Sequence, residues 1–231
     1  MMRLVAFFAL AYVLVHVLGA MPVVGPIFAH AGIFGIWITA LGLSWVATRY
    51  GERAVRSRRD RGELRRLLTV DNAHNHGKAG AMLLARGSAA RAMPHLERAA
   101  EGEPSSPEWQ FRLGTALLAL RRPAEARAAL ARCVALAPEY AYGAAQLRLA
   151  EALTASGAAA EALPVLAVAE RNHGTSPELA YVRGRALKAL GRRAEAKASF
   201  SEVGKLAAEV PLFQRGAARG YALRAFFAGL F

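Results

Sequence analysis

The sequence predicts an all-α protein: an N-terminal hairpin of two membrane-crossing helices, a solenoid of four stacked helix pairs, and one closing helix. Three observations carry that prediction. Two long runs near the N-terminus, 4–21 and 27–48, contain no charged residue. A phrase built on Ala-Glu-Ala recurs as "RRPAEARAAL" at 121–130, "GAAAEALPVL" at 157–166 and "GRRAEAKASF" at 191–200. The final stretch, "PLFQRGAARGYALRAFFAGLF", opens on a proline suited to the first turn of a helix.

The two uncharged runs hold 18 and 22 residues, ten and nine of them Leu, Ile, Phe or Val. About 20 helical residues cross a bilayer core of roughly 30 Å. At about −0.3 to −0.6 kcal/mol per such residue, each run favours insertion by roughly 3–5 kcal/mol. Pro22, Gly25 and Pro26 break the helix between them. A cleaved signal peptide is the rival reading of the first run, although Leu18-Gly19-Ala20 makes a poor cleavage site. Residues 1–48 are read as a transmembrane hairpin. Ala31, Gly35 and Thr39 recur every fourth residue on its second span, a spacing that lets a helix of this chain or of a partner approach closely. His16 and His30 inside the spans are read as neutral imidazoles with local hydrogen bonds.

The next segment, 49–66, carries eight Arg against three acids. Basic residues flanking a span stay cytoplasmic, which places everything after residue 49 in the cytoplasm of a bacterial inner membrane. Trp45 and Tyr50 fall where an interfacial aromatic belt would lie. Residues 49–72 read as a basic juxtamembrane helix, and 49–66 suits contact with anionic lipid at about 1 kcal/mol per basic residue. The whole chain is basic, with 30 Lys and Arg against 17 acids and a formal charge of +13. Nucleic acid is not an expected partner, because this charge sits beside the membrane without interleaved aromatics.

The repeat follows from alignment of the Ala-Glu-Ala phrases. Their second alanines, Ala126, Ala162 and Ala196, are 36 and 34 residues apart, and a weaker copy places Ala92 another 34 before. Other positions then fall into register: Gly80, Gly114, Ala150 and Gly184; then Gly87, Arg121, Gly157 and Gly191; then Leu96, Leu130, Leu166 and Phe200. Small residues at positions 8 and 20 of each unit let two helices pack closely. The large residue at position 24 is expected to fill the space against the neighbouring pair. One pair cannot bury its apolar face alone, so several must stack.

Fixed spacing of this length, with small residues at 8 and 20 and a large apolar residue at 24, resembles the tetratricopeptide repeat family. The resemblance covers residues 73–210 in four units: 73–106, 107–140, 143–176 and 177–210. Ala79 and Arg91 in the first unit and Arg183 in the fourth depart from the family pattern. Two extra residues near Tyr140–Tyr142 should lengthen one turn. The resemblance implies a binding module whose groove is lined by the first helix of each pair. The family's usual groove positions correspond here to Phe111, Thr115, Leu147, Glu151, Glu178, Tyr181, Arg185 and Lys188. The carboxylate clamp of chaperone-binding relatives is not implied, since Gly77 and Ala81 occupy its positions in the first unit.

Little in the chain suggests chemistry. His74 and His76 stand two apart without a Cys or carboxylate cluster, so no metal site is expected. "HGKAG" lacks the preceding glycine and the hydroxyl residue of a phosphate loop. The single cysteine, Cys133, occupies a buried small-residue slot and excludes an intrachain disulfide. With Asp only at 60 and 71, no acid–base pair emerges. Neither an enzyme nor a cofactor is predicted.

The closing helix, 211–231, should cap the array through Leu212, Ala217 and Tyr221. Phe226, Phe227 and Phe231 exceed what a cap needs and are read as docking on a partner or on the membrane surface. The chain resembles membrane-anchored tetratricopeptide proteins that organise multi-protein membrane complexes. That implies an adaptor recruiting a protein partner to the cytoplasmic face of the inner membrane. The alternative is an assembly subunit that packs through its hairpin.

Overall fold

Prolines and side-chain caps start the helices of the repeat region. Asn72 accepts the amide N–H of Asn75 at 2.8 Å and opens α1 (Ala73–Ala85). Pro107 and Pro123 stand in the first turns of α3 (Pro107–Ala119) and α4 (Pro123–Leu136), where a missing N–H costs nothing. Ser176 accepts the N–H of Leu179 at 3.1 Å and, with Pro177, opens α7 (Pro177–Ala189). The remaining helices are α2 (Ala89–Gly102), α5 (Ala144–Ala155), α6 (Ala159–His173), α8 (Arg193–Glu209) and α9 (Arg215–Leu230).

The computed structural model describes residues 61–211, 213 and 215–230, and before them 5, 8, 9, 12, 13, 16, 17, 20, 38, 41–47, 49 and 50. Among the described residues every regular element is helical. The chain divides into two units, Met1–Arg66 and Leu67–Phe231. Most of the predicted hairpin, including Ala31, Gly35 and Thr39, lies outside the described residues, as do 51–60, Leu212 and Phe231. Among the described residues no helix is long and apolar enough to cross a membrane. In the first unit Val5, Phe8, Val13, Val17, Ile38, Leu43 and Val46 are exposed. His16 donates from Nδ1 to the carbonyl of Tyr12 at 3.0 Å, and Arg49 lies over the ring of Trp45.

In the second unit α1/α2, α3/α4, α5/α6 and α7/α8 pack as hairpins, and the repeated phrase supplies their seams. A Cβ built on Gly114 would stand 2.4 Å from Leu130 Cγ, and one on Gly184 would stand 2.5 Å from the ring of Phe200. The large residue at position 24 therefore fills its own pair, against the small residue at position 8. The sequence reading set this residue against the neighbouring pair; the close contact seen here is inside its own hairpin, and Phe200 also clusters with residues of the adjoining elements. The two positions lie on facing helices of one hairpin, and glycine leaves the room in units one, two and four, while unit three carries Ala150 opposite Leu166. Leu96, Leu130 and Leu166 are at most 1 % exposed. Between pairs, Trp109 supplies the packing: its ring covers Gly77, and its Nε1 donates to Glu103 at 2.7 Å.

The order of contacts sets the curvature of the array. Backbones of successive first helices (α1, α3, α5, α7) approach within 8 Å, whereas those of successive second helices do not. The first helices thus line the inner side. On the outer side long side chains bridge instead, as Arg127 does to Glu161 at 2.8 Å. Arg183, at a position where the family carries an apolar residue, is held by Glu170 on α6 and Glu202 on α8. The connection between α4 and α5 runs from 137 to 143 and takes Ala141, Tyr142 and Gly143 through positive φ.

The closing helix α9 packs on both α7 and α8. Its register differs from the expectation at Ala217, which is exposed, while Ala218 and Ala225 are buried. Tyr221, Ala222 and Ala228 pack beside them. The face that meets two helices at once must be narrow, and a stripe of alanines supplies it where a single large residue would not fit.

Candidate functional site

The inner side of α3, α5 and α7 carries the candidate groove. A cavity of about 540 Å³ lies there, lined by Leu118, Arg121, Pro123, Glu151, Ala155 and Arg185. A second, of about 410 Å³, is bordered by Tyr142, Leu147, His173 and Glu178 among others.

The predicted groove residues divide between these cavities and the packing of the array. Phe111 stacks at a tilt on Tyr140, with centroids 5.3 Å apart, and its carbonyl accepts the Thr115 hydroxyl at 2.8 Å. Leu147 is nearly buried beside the second cavity. Tyr181 lies against Phe200 and Tyr221, inside the contact with α9. Lys188 donates from Nζ to the carbonyl of Ala228 at 2.8 Å, so its ammonium is engaged by the closing helix. Arg185 alone of the predicted basic pair projects into the groove cavity.

Electrostatics then select what the groove can hold. Arg148 reaches Glu151 at 2.6 Å and Glu178 at 3.2 Å. Burial opposes the Arg148 charge, but the two carboxylates outweigh it and hold the guanidinium protonated. Burial and the bond to Glu178 push the Tyr221 phenol up, so it stays neutral and donates to that carboxylate. Arg148 thus offsets one of the two carboxylate charges, and the neutral Tyr221 hydroxyl satisfies Glu178 by a hydrogen bond. Arg121 and Arg185, both exposed in the same cavity, have no ion pair among the described residues. The net field in the groove is positive.

Residues 83–144 match the tetratricopeptide repeat family. Across those residues the helices are tetratricopeptide repeats. Two solved structures share the fold. One is MamA, from residue 41 to its end, from Desulfovibrio magneticus RS-1: 19% identity, TM-score 0.51, covering 69% of this chain and 96% of that one. The other is TTC0263, a thermophilic tetratricopeptide protein of Thermus thermophilus: 16% identity, TM-score 0.55, covering 79% and 97%. At these identities the likeness is one of fold. No curated protein matches the chain.

Arg121 is the groove residue that the tetratricopeptide register alone did not select. It sits at the turn between the two helices of its repeat, with φ +59, where the other three repeats place Gly87, Gly157 and Gly191. A left-handed backbone costs a non-glycine residue about 1 kcal/mol. A break in the column of glycines was the signal available in the sequence. Cys133 carries no reactivity: it is fully buried, and burial pushes its thiol up to about 11.

The first repeat holds an unpredicted imidazole pair. His76 and His95 face each other with Nδ1 atoms 2.8 Å apart, and His76 Nε2 bonds Asp71 at 2.7 Å. His74 points elsewhere, edge-on to Trp109. Among the described residues no three potential ligands cluster as a metal ion would require. One proton serves the two facing nitrogens, so both rings cannot be charged without separating. Burial, the charge of His76 and the charge of Arg91 hold the His95 imidazole below its usual value; Asp71 and Arg98 complete its charged surroundings. The unfolded chain then binds more protons than the folded one below about pH 6.5, and stability falls as pH drops through that value. Melting at pH 5.5 should occur below melting at pH 7.5, and His95→Gln should flatten the difference. Equal melting at both pH values in the parent chain would remove this role.

Proposed function

We propose that this protein is a membrane-anchored tetratricopeptide adaptor that holds an acidic segment of a protein partner at the cytoplasmic face of a bacterial inner membrane. One observation carries the binding half: the groove's carboxylates are occupied by Arg148 and Tyr221, while Arg121 and Arg185 remain available in one cavity. A partner bringing Asp or Glu gains charge-assisted hydrogen bonds there. The anchoring half is supported by the two uncharged runs and the Arg-rich segment behind them. The exposed Val5, Phe8, Val13, Val17 and Ile38 are compatible with a lipid surround, and His16 satisfies its ring locally, as a span would require.

Two measurements test the halves separately. A reporter active only in the cytoplasm, fused after Phe231, should be active; activity from a periplasm-only reporter at that place overturns the orientation. Proteins cross-linked to the full chain in membranes should be lost when Arg185 becomes Glu. Partners that survive this change but vanish on deletion of residues 1–48 would instead support the assembly-subunit reading.

A further inference from the structure

The closing helix α9 is turned the opposite way from an ordinary cap. Its inward stripe is made of small residues, Ala218, Ala222, Ala225 and Ala228, with Tyr221 among them. Its large apolar residues point outward: Leu223 is 60 % exposed, Phe226 62 % and Phe227 55 %. Phe213, just before the helix, is also exposed. At 100° per residue Phe226, Leu223 and Phe227 form one stripe, with Gly216 and Gly220 flattening the same face one and two turns earlier. A Cβ at either glycine would meet nothing.

The charges that α9 itself carries beside this stripe are all positive. Arg219 and Arg224 flank it, and residues 210–231 contain no acid. Arg224 rests over the Tyr221 ring at 5.6 Å, and Arg215 donates to the Val210 carbonyl. A second copy of the chain docked on this face would bring arginines together without a carboxylate from either helix. The outer face of a soluble array is ordinarily polar, and on α9 it carries Leu223, Phe226 and Phe227 between arginines. Phe and Leu set among arginines match a bilayer interface, where rings enter the acyl boundary and guanidiniums reach phosphates.

We propose that α9 is a membrane-surface helix whose Leu223–Phe226–Phe227 stripe enters an anionic lipid interface, with Arg219 and Arg224 on the headgroup phosphates. This contact is independent of the groove and of the N-terminal runs.

Gly220→Cys offers a labelling point on that face, since a side chain there has open space, and buried Cys133 will not compete for the reagent. The full chain, carrying an environment-sensitive fluorophore at that cysteine, is reconstituted in two kinds of vesicle. One is neutral phosphatidylcholine; the other includes phosphatidylglycerol; both contain brominated acyl chains. Quenching should be at least about twofold stronger with the anionic lipid, and should weaken as salt rises. Arg219→Gln with Arg224→Gln should remove that preference, and Phe226→Ser with Phe227→Ser should abolish quenching at unchanged helical content. The two arginines are exposed, so their replacement tests the idea without threatening the fold. Quenching that is absent, or equal in both lipids, overturns the proposal. So does a signal that grows with protein density at constant lipid composition, which would identify a second copy as the occupant.

Discussion

Replacing Gly114 with Val is expected to lower the melting temperature of the repeat region by roughly 6–12 °C. The physical reason is a contact already at its limit. The added Cβ would stand 2.4 Å from Leu130 Cγ and 2.9 Å from Leu130 Cδ2. Leu130 is fully buried and has no free space to rotate into. Overpacking of this kind costs about 3 kcal/mol, and about 2–4 °C of melting temperature accompanies each kcal/mol in an array of this size. A double mutant gives the sharper reading. Leu130→Ala alone should cost about 2–5 kcal/mol through the cavity it leaves. Combined with Gly114→Val, it should cost clearly less than the sum, because the new methyl groups occupy that cavity. Strict additivity, or an unchanged melting temperature in Gly114→Val, would mean that these residues do not face each other.

The second large effect concerns the groove, where folding and binding are expected to move in opposite directions. Arg121→Gly relieves a positive φ and should stabilise the array by about 1 kcal/mol. The same change removes one of two unpaired guanidiniums from the cavity. Capture of a fluorescent Glu-rich peptide by the full chain should therefore weaken while melting temperature rises. Adding Arg185→Glu sets a carboxylate against the incoming acid. The pair of substitutions should weaken capture about tenfold or more, largely through slower association, and the loss should shrink as salt rises. Lys188→Gln should change capture little, since its ammonium is held by the Ala228 carbonyl. Binding that is indifferent to Arg121 and Arg185 would place the partner on another surface.

How much of this was readable in the sequence depended on whether a residue acts through spacing or through its neighbours. The helix pairs were legible because small residues at positions 8 and 20 and a large one at 24 recur at a fixed period, and period survives without coordinates. The predicted groove residues were legible as positions, not as functions. Arg148 stands three residues before Glu151, a pairing that helical spacing makes readable, but only folding brings Arg148 and Tyr221 onto Glu178. Tyr181 and Lys188 look like groove residues until α9 covers one ring and engages the other side chain. His76 and His95 are 19 residues apart, and nothing local announces that two imidazoles will share one proton.

The sequence by itself determined that this chain is helical, built in repeats and basic, with two apolar runs at one end and an acid-free aromatic helix at the other. Those properties are sums or periods along the chain, so they need no partner residue to exist. The tertiary structure decided which side of each helix meets which neighbour. It turned the position-24 residues into their own hairpins and placed Ala218, not Ala217, under the array. It also left Arg121 and Arg185 without carboxylates in a shared cavity. Such choices depend on distances of a few ångströms between residues far apart in sequence, and packing alone sets those distances.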